Sequence, residues 1–367
     1  MKMNKWTVGL AAAGVVSLSS VAQAQEAAAN AVQTKLATTS LSGYVSTSFN
    51  WVAGNDTGTE TGYRLGDAEN DQFSLDVVSL SLGSPMGSGE WATGYNVQLW
   101  LGPDSENLGV GGGGGAAVKN AYIELRVPVG SGLDLQVGRF DTIIGYEGID
   151  YNSNPFFSHS WGYALQPTLH TGVKATYQVA EEVSVSAIVA NTINANDNAG
   201  NANDSRKTWG VAATIGAPDS MGFLSDAELT VGYITGRNDG IDGSDVQNLY
   251  VGASIPTPIT NLSAGLAYDV RDQGGVGGTA SVLGVYLAYK VNDQMTVNAR
   301  LEKVEEGAEN VINASNADAI DLTLGVDYAI WDGVKTRAEW RQTHVDDQNT
   351  ATDAVTNALL FNIIYEF

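Results

Sequence analysis

From Leu41 to Phe367 the sequence breaks into short runs in which apolar and polar side chains alternate. A period of two fits a strand with one apolar and one polar face. The last run, A-L-L-F-N-I-I-Y-E-F, is the clearest case. Leu359, Phe361, Ile363, Tyr365 and Phe367 share one face, and Ala358, Leu360, Asn362, Ile364 and Glu366 share the other, which grows polar toward the end. No stretch after residue 24 approaches the roughly 18 consecutive apolar residues of a membrane helix. A chain made of such strands either packs two sheets face to face or closes one sheet on itself.

The pattern predicts strands at 41–52, 70–82, 91–101, 117–128, 132–140, 167–179, 182–190 and 205–216. It predicts eight more at 224–235, 245–255, 261–270, 280–291, 294–304, 318–330, 333–343 and 355–367. Sixteen is an even number, as a single-chain bacterial barrel usually requires. The connections alternate in length. Gly130-Ser131-Gly132, Ala180-Glu181, Asn292-Asp293 and Trp331-Asp332-Gly333 lie in short turns, while 53–69, 102–116, 141–166, 191–204, 236–244, 271–279, 305–317 and 344–354 are long. Short turns belong on the periplasmic side and long loops outside. The expected fold is therefore all-β: a transmembrane antiparallel β-barrel of 16 strands over 41–367, with both termini in the periplasm.

The N-terminus agrees with export. Lys2 and Lys5 precede an apolar stretch from Trp6 to Val21, and Ala22-Gln23-Ala24 is a small-x-small cleavage site, so 1–24 reads as a signal peptide. Residues 25–40 read as a short periplasmic extension. The formal charge of -23 makes nucleic acid an unsuitable partner. Cysteine is absent, so a fold that meets an oxidising compartment does without disulfides.

The aromatics sort by depth. Tyr177, Tyr289, Tyr328, Tyr365 and Phe367 fall at the periplasmic strand ends, and Tyr233, Tyr268 and Trp340 at the outer ends, all on the apolar face. Two such belts suit two lipid interfaces, with outer-membrane lipid and lipopolysaccharide as the partners. A soluble sandwich would bury its aromatics in mid-strand. The opposite face carries charge. Lys335, Arg337, Glu339 and Arg341 alternate with Val334, Thr336, Ala338 and Trp340, and Arg300 and Glu302 lie opposite Ala299 and Leu301. A wall of both signs implies water inside, because an unpaired charge in a dry core costs several kcal/mol. In the second run Asp76 opposes Leu75 and Val77, yet Val78, Leu80 and Leu82 take the other parity. A bulge near 77–78 or a partly apolar lumen patch accounts for it.

The segment Asp141–Gln166 is the longest connection and holds Tyr146, Tyr151, Phe156, Phe157, Trp161 and Tyr163. So many aromatics suggest a loop folded against something. A third external loop bent into the barrel resembles the constriction loop of general porins. On that basis Asp141, Glu147 and Asp150 are expected at the eyelet, with Arg126, Lys174, Arg300, Arg337 and Arg341 as the wall cations opposite. The alternative is that the aromatics pack the loop against the rim or a neighbouring subunit. The stretches Gly138–Glu147 (G-R-F-D-T-I-I-G-Y-E) and Asn154–Ser160 (N-P-F-F-S-H-S) resemble the signature of the OmpL-like class of β-barrel porins, exported proteins of Gram-negative and related bacteria. The similarity is strongest over about 117–180, and Arg139, Asp141, Gly145, Glu147, Asn154 and Pro155 match its pattern. The resemblance implies a class and no substrate. Arg139 conflicts with the pattern of faces, since it shares parity with the lipid-facing Leu135 and Val137; it either snorkels or is turned by a bulge.

Other motifs lead nowhere. The glycine run 109–115 lacks the Lys-Ser/Thr pair of a phosphate loop. His159, His170 and His344 have no cysteine partners for zinc and form no nucleophilic triad, so neither a resident metal nor an enzyme is expected; His170, with Lys174 on the same wall, reads as pore lining. No cofactor is expected beyond weak Ca²⁺ binding by acidic loops such as 239–245, which lack an EF-hand's terminal Glu. The expected function is passive diffusion of small hydrophilic solutes and ions across the outer membrane, with modest cation preference from acidic loops that carry Asp56, Glu60, Asp239 and Asp242 among others. The alternatives are a substrate-selective channel, for example for sugars, or a non-conducting structural or adhesive barrel. A ladder of lumen aromatics would favour the sugar channel, and only Tyr44, Trp100 and Tyr122 are scattered there. Analogy with porins implies a homotrimer, and the closing strand ending in Phe367 resembles the signal read by the barrel assembly machinery.

Overall fold

The computed structural model describes residues 38–54, 71–111, 114–193, 206–237, 245–274, 278–306, 317–347 and 352–367. These residues form sixteen strands: β1 Ser40–Gly54, β2 Gln72–Ser84, β3 Thr93–Leu101, β4 Ala116–Val127, β5 Leu133–Asp141, β6 Leu169–Ala180, β7 Val183–Ala190 and β8 Thr208–Gly216. They continue as β9 Glu228–Arg237, β10 Asp245–Pro256, β11 Leu262–Asp272, β12 Thr279–Lys290, β13 Met295–Glu306, β14 Ala317–Trp331, β15 Val334–Asp347 and β16 Thr352–Glu366. Each pairs antiparallel with its neighbours in sequence, and β1 closes on β16 with Tyr44 opposite Glu366. The closed ladder pairs the strands with no free sheet edge, the condition for strands in hydrocarbon. The largest shift in a strand start from the sequence expectation is at β9. A 3₁₀ turn over Asp219–Leu224 delays the strand to Glu228. At the other end of the chain β15 runs four residues past its expected end.

The alternation resolves into two faces. On β12, Leu283, Val285 and Leu287 are exposed, whereas Val282 and Tyr286 are buried. Tyr268, Tyr289, Tyr328, Tyr365 and Phe367 are also exposed at the strand ends. The apolar face is thus the outside and the buried face is the lumen.

Among the described residues four register shifts interrupt the ladder. Those at Gln178/Ala180 and Ala329/Trp331 adjoin short turns, and the two farther along the wall, in β1–β2 and β3–β4, place polar groups inside. Between β1 and β2 the register passes from Ser46–Val77 to Thr47–Leu75, so Asp76 is the extra residue. Asp76 and Val77 then both point inward. The sequence irregularity is this bulge, one residue earlier than expected. Between β3 and β4 the register passes from Gln98–Asn120 to Leu99–Val118, which leaves Lys119 as the extra residue. Lys119 and Asn120 are both buried inside as a result.

The buried apolar groups lie inside the barrel, where long connections meet the wall. A short helix, α1 (Asp104–Asn107), sits between β3 and β4. Behind it Leu108 and Val110 pack with Tyr44, Trp100, Tyr151 and Phe157. A second helix, α2 (Trp161–Leu165), lies between β5 and β6, and Trp161 and Leu165 pack on Val282, Val304 and Val345. Tyr44 and Trp100, read from the sequence as lumen aromatics, are consumed in this packing. The loop acids Asp56, Glu60, Asp239 and Asp242 lie outside the described residues, as does the segment 1–37. Of the 239–245 stretch only Asp245 is described, and it pairs with Arg206 at 3.2 Å.

Candidate functional site: the lumen at the third long connection

The connection 142–168 is bonded to the inner wall from β10 to β15. Buried carboxylates on the wall take its backbone N–H groups. Glu339 accepts from Phe157 N at 3.0 Å and Ser158 N at 3.2 Å, and also from Ser158 Oγ. Glu302 accepts from Trp161 N at 2.8 Å. Wall arginines take its carbonyls. Arg337 donates to Tyr151 O at 2.6 Å and Asn154 O at 2.7 Å, and Arg341 donates to His159 O at 2.9 Å. Asn248 reaches Leu165 O at 2.7 Å. A loop without regular structure leaves its backbone groups unpaired, and this wall supplies the partners that burial demands. Ser160 caps α2 by accepting from Tyr163 N at 3.1 Å.

Glu147 and Arg300 are the centre of this arrangement. Glu147 Oε1 lies 2.8 Å from Arg300 Nη1, and Glu147 Oε2 accepts from Ser160 N at 2.8 Å. Arg300 also pairs with Glu302 at 3.0 Å and lies over the Phe156 ring at 4.8 Å. Arg341 pairs with Asp321 at 2.7 Å and lies over Trp161 at 5.3 Å. Sequence reasoning set Glu147 across an aqueous gap from Arg300, Arg337 and Arg341. In the structure these groups touch or hold the loop directly, because a charge removed from water needs a partner at contact distance.

The other expected residues fall elsewhere. Arg126 stands near the short-turn end of β4 and forms a two-bond pair with Asp134, at 2.6 and 2.7 Å, apart from the loop. Parity gave its face but not its depth. Lys174 lies over the Phe140 ring at 5.4 Å on the β5–β6 wall, and the neighbouring His170 is buried with Nε2 3.1 Å from Thr142 Oγ1. Arg139 keeps its outward parity without a bulge, opposite Ala121 and Thr171. Its guanidinium is covered and donates to Val110 O at 2.6 Å.

Asp141 and Asp150 meet at a lysine that sequence reasoning missed. Lys119 Nζ is 2.9 Å from Asp141 Oδ1 and 2.5 Å from Asp150 Oδ2. Tyr44 and Gln98 donate to Asp150 Oδ1 at 3.0 and 2.9 Å, and Asn120 donates to Asp141 Oδ2 at 2.9 Å. The exposure is unequal: the Lys119 side chain is 1% accessible, Asp141 49% and Asp150 26%. A signal was present, because straight alternation from Tyr122 and Glu124 puts Lys119 in lipid, an expensive position that points to a bulge.

Two open spaces adjoin the loop. One of about 300 Å³ is lined by Lys119, Asp141, Gly145, Asp150 and Thr168 among others. The second, about 490 Å³, lies between residues 145–155 and the inner faces of β9, β10, β14 and β15. Gly145 and Ser153 line both, so this arc of the loop separates them. The arrangement offers carboxylate oxygens and hydrogen-bonding groups along a lumen.

Comparison with known proteins places this architecture. Residues 38–367 match the family model described as "Putative beta-barrel porin-2, OmpL-like". No curated protein matches the sequence. Among solved structures, Salmonella typhi OmpF in complex with daunomycin is similar at a TM-score of 0.62 and 14% identity, covering 90% of this chain and 97% of that one. The anion-selective porin from Comamonas acidovorans gives 0.61 at 13% identity, with 90% and 99% covered. The trimer form of Vibrio cholerae OmpT gives 0.57 at 15% identity, again with 90% and 99% covered. At these identities the likeness is one of fold.

Proposed function

The chain belongs to the OmpL-like family of β-barrel porins, and from that premise we propose that it is a passive diffusion channel for small hydrophilic solutes and ions with a modest preference for cations. One observation carries the sign of that preference. Arg300, Arg337 and Arg341 are buried as partners of the loop, and Lys119 is buried beneath Asp141 and Asp150, whose carboxylates remain accessible. A mobile ion at this level meets negative charge. Lys174 is half-buried on the same lumen wall and Arg126 is neutralised by Asp134, which keeps the preference small. Charge at the long loops adds to it at low salt and fades once the Debye length falls to about 8 Å.

In this reading the segment 142–168 is the constriction loop, and Asp141 and Asp150 are its selectivity-bearing residues. Glu147, Arg300, Arg337 and Arg341 hold it in place. No step of bond chemistry is involved, and the solute gradient drives transport. The exposed apolar belt faces outer-membrane lipid and lipopolysaccharide. The family, the fold and the trimeric neighbour support a homotrimer, and the strand ending in Phe367 is the segment offered to the assembly machinery.

The test is a reversal potential across a KCl gradient in planar bilayers. A potential of the sign for K⁺ preference, shrinking as salt rises, is expected. Chloride preference would overturn the assignment of Asp141 and Asp150, and absence of conductance would overturn the channel.

A further inference from the structure

The space of about 490 Å³ beneath the loop is built differently from a plain aqueous pore. Tyrosine rings gather on the inner wall of β10 to β12. Tyr146, from the loop, stacks on Tyr286 with ring centroids 4.2 Å apart and planes 27° apart. Ser254, Gly265 and Tyr286 lie side by side across the three strands, since Ser254 pairs with Gly265 and Gly265 with Tyr286. A Cβ on Gly265 would collide with the Tyr146 hydroxyl, and a Cβ on Gly252 with that of Tyr250. These two glycines let the rings lie close against the sheet. Tyr146 is half-buried and lines the chamber, as does the buried Tyr250.

The rest of the lining supplies hydrogen bonds more than free charge. Asn152, Ser153, Thr230 and Ser254 face the same space. Its charged members are largely engaged. Asp327 pairs with Arg337 at 3.2 Å, and Lys335 donates to Asn152 O. Glu228 stands at the start of β9, toward the short-turn end. A cavity of about 300–1,000 Å³ with convergent polar groups is the size and make-up of small-molecule sites. An ionic ligand would compete with pairs already made. A neutral ligand rich in hydroxyls would meet amide and hydroxyl groups at its edges and a tyrosine ring at its C–H face.

We infer that this chamber is a saturable subsite for neutral polyhydroxylated solutes of mono- to disaccharide size, placed directly below the constriction. The inference rests on the proposed diffusion function and deepens it, because solutes would be retained briefly on their way through. The aromatic patch escaped sequence reasoning because Tyr146 comes from a loop and Tyr250 and Tyr286 from separate strands.

The test measures K⁺ conductance in planar bilayers with glucose, sucrose or maltose added, against a polyethylene glycol of matching hydrodynamic radius. At least one sugar is expected to reduce conductance saturably, while the polymer acts in proportion to its concentration. Tyr146→Ala should raise the half-saturating sugar concentration at least fivefold. The isosteric Thr230→Val, on the wall and away from the loop's anchors, should raise it with K⁺ conductance kept. Purely proportional reduction by all three sugars would overturn the subsite and leave the channel standing, as would unchanged saturation in both variants. Saturation-transfer NMR on detergent-solubilised protein separates the two ideas. Sugar binding without any conductance would uphold the subsite and refute the channel.

Discussion

Glu147 on the loop and Arg300 on β13 are joined at 2.8 Å, and solvent reaches neither side chain. Their bond ties the middle of an irregular 27-residue connection, 142–168, to the centre of a strand on another part of the wall. The carboxylate is spent on that tie and does not face the passage.

Glu147→Gln should therefore loosen the loop more than it alters ion preference. Breaking a buried pair by removing one partner costs about 3–5 kcal/mol, and here Glu302 remains beside Arg300 to offset part of it. Proteolysis between residues 145 and 165 should speed up and open-channel noise should rise, while heat-modifiable gel mobility of the barrel stays as in wild type. Unchanged cleavage and noise would remove Glu147 from the anchor.

Selectivity should respond to the residues around Lys119. Asp150→Asn is expected to lower the K⁺/Cl⁻ permeability ratio by about two- to fivefold, the scale of a partly exposed ion pair at about 1 kcal/mol or less. Lys119→Met should raise the ratio, since it leaves Asp141 and Asp150 without their shared cation. Equal reversal potentials for wild type and Lys119→Met would show that this cluster does not sense the ion path.

Most of the barrel was legible before any coordinates, and the reason is geometric. Strand parity survives over ten residues, so Arg300, Arg337 and Arg341 could be assigned to the lumen from sequence alone. Parity fails at a bulge, and Lys119 was lost there. Asp76, at the other bulge, left a visible break because three apolar residues followed on the wrong face. Depth was harder than face. Arg126 points inward as expected, yet it lies one residue before the end of β4 and pairs with Asp134. The partners of the arginines were not legible, because the carbonyls of Tyr151, Asn154 and His159 belong to a segment with no periodicity.

Asp76 offers a test of the seam. Its carboxylate accepts from Ser46 and Ser48, each at 2.6 Å, and from Asn362 at 3.3 Å, so it joins β1, β2 and β16. Asp76→Leu would leave buried donors without an acceptor, at about 1–3 kcal/mol each. The denaturant midpoint of the detergent-folded barrel should fall clearly for Asp76→Leu and less for Asp76→Asn. Equal midpoints for all three proteins would remove the seam from the stability of the fold.

Charge should be tolerated on one face only. Val285→Arg, on the exposed face of β12, is expected to cost about 2–4 kcal/mol if it sits near the bilayer midplane. Gln136→Arg points into the lumen, where Glu124 now accepts from Gln136 at 2.9 Å, and should fold normally. Folding yield into lipid vesicles reads both, and equal yields would contradict the assignment of faces.

The closure of β1 on β16 has a consequence for how the chain can assemble. Asn362 donates to Ser46 across 316 residues of sequence. Bringing such distant segments together costs about 5 kcal/mol in chain entropy before any constant term. Until that meeting occurs, the first strand and the newest strand both stand as open edges ready to pair with another chain. Shortening the chain by its last strand would thus leave no smaller cylinder. It would leave a curled ribbon with two bare rims, which neither lipid nor water accommodates, so the fifteen residues of β16 decide whether all the preceding ones have a home.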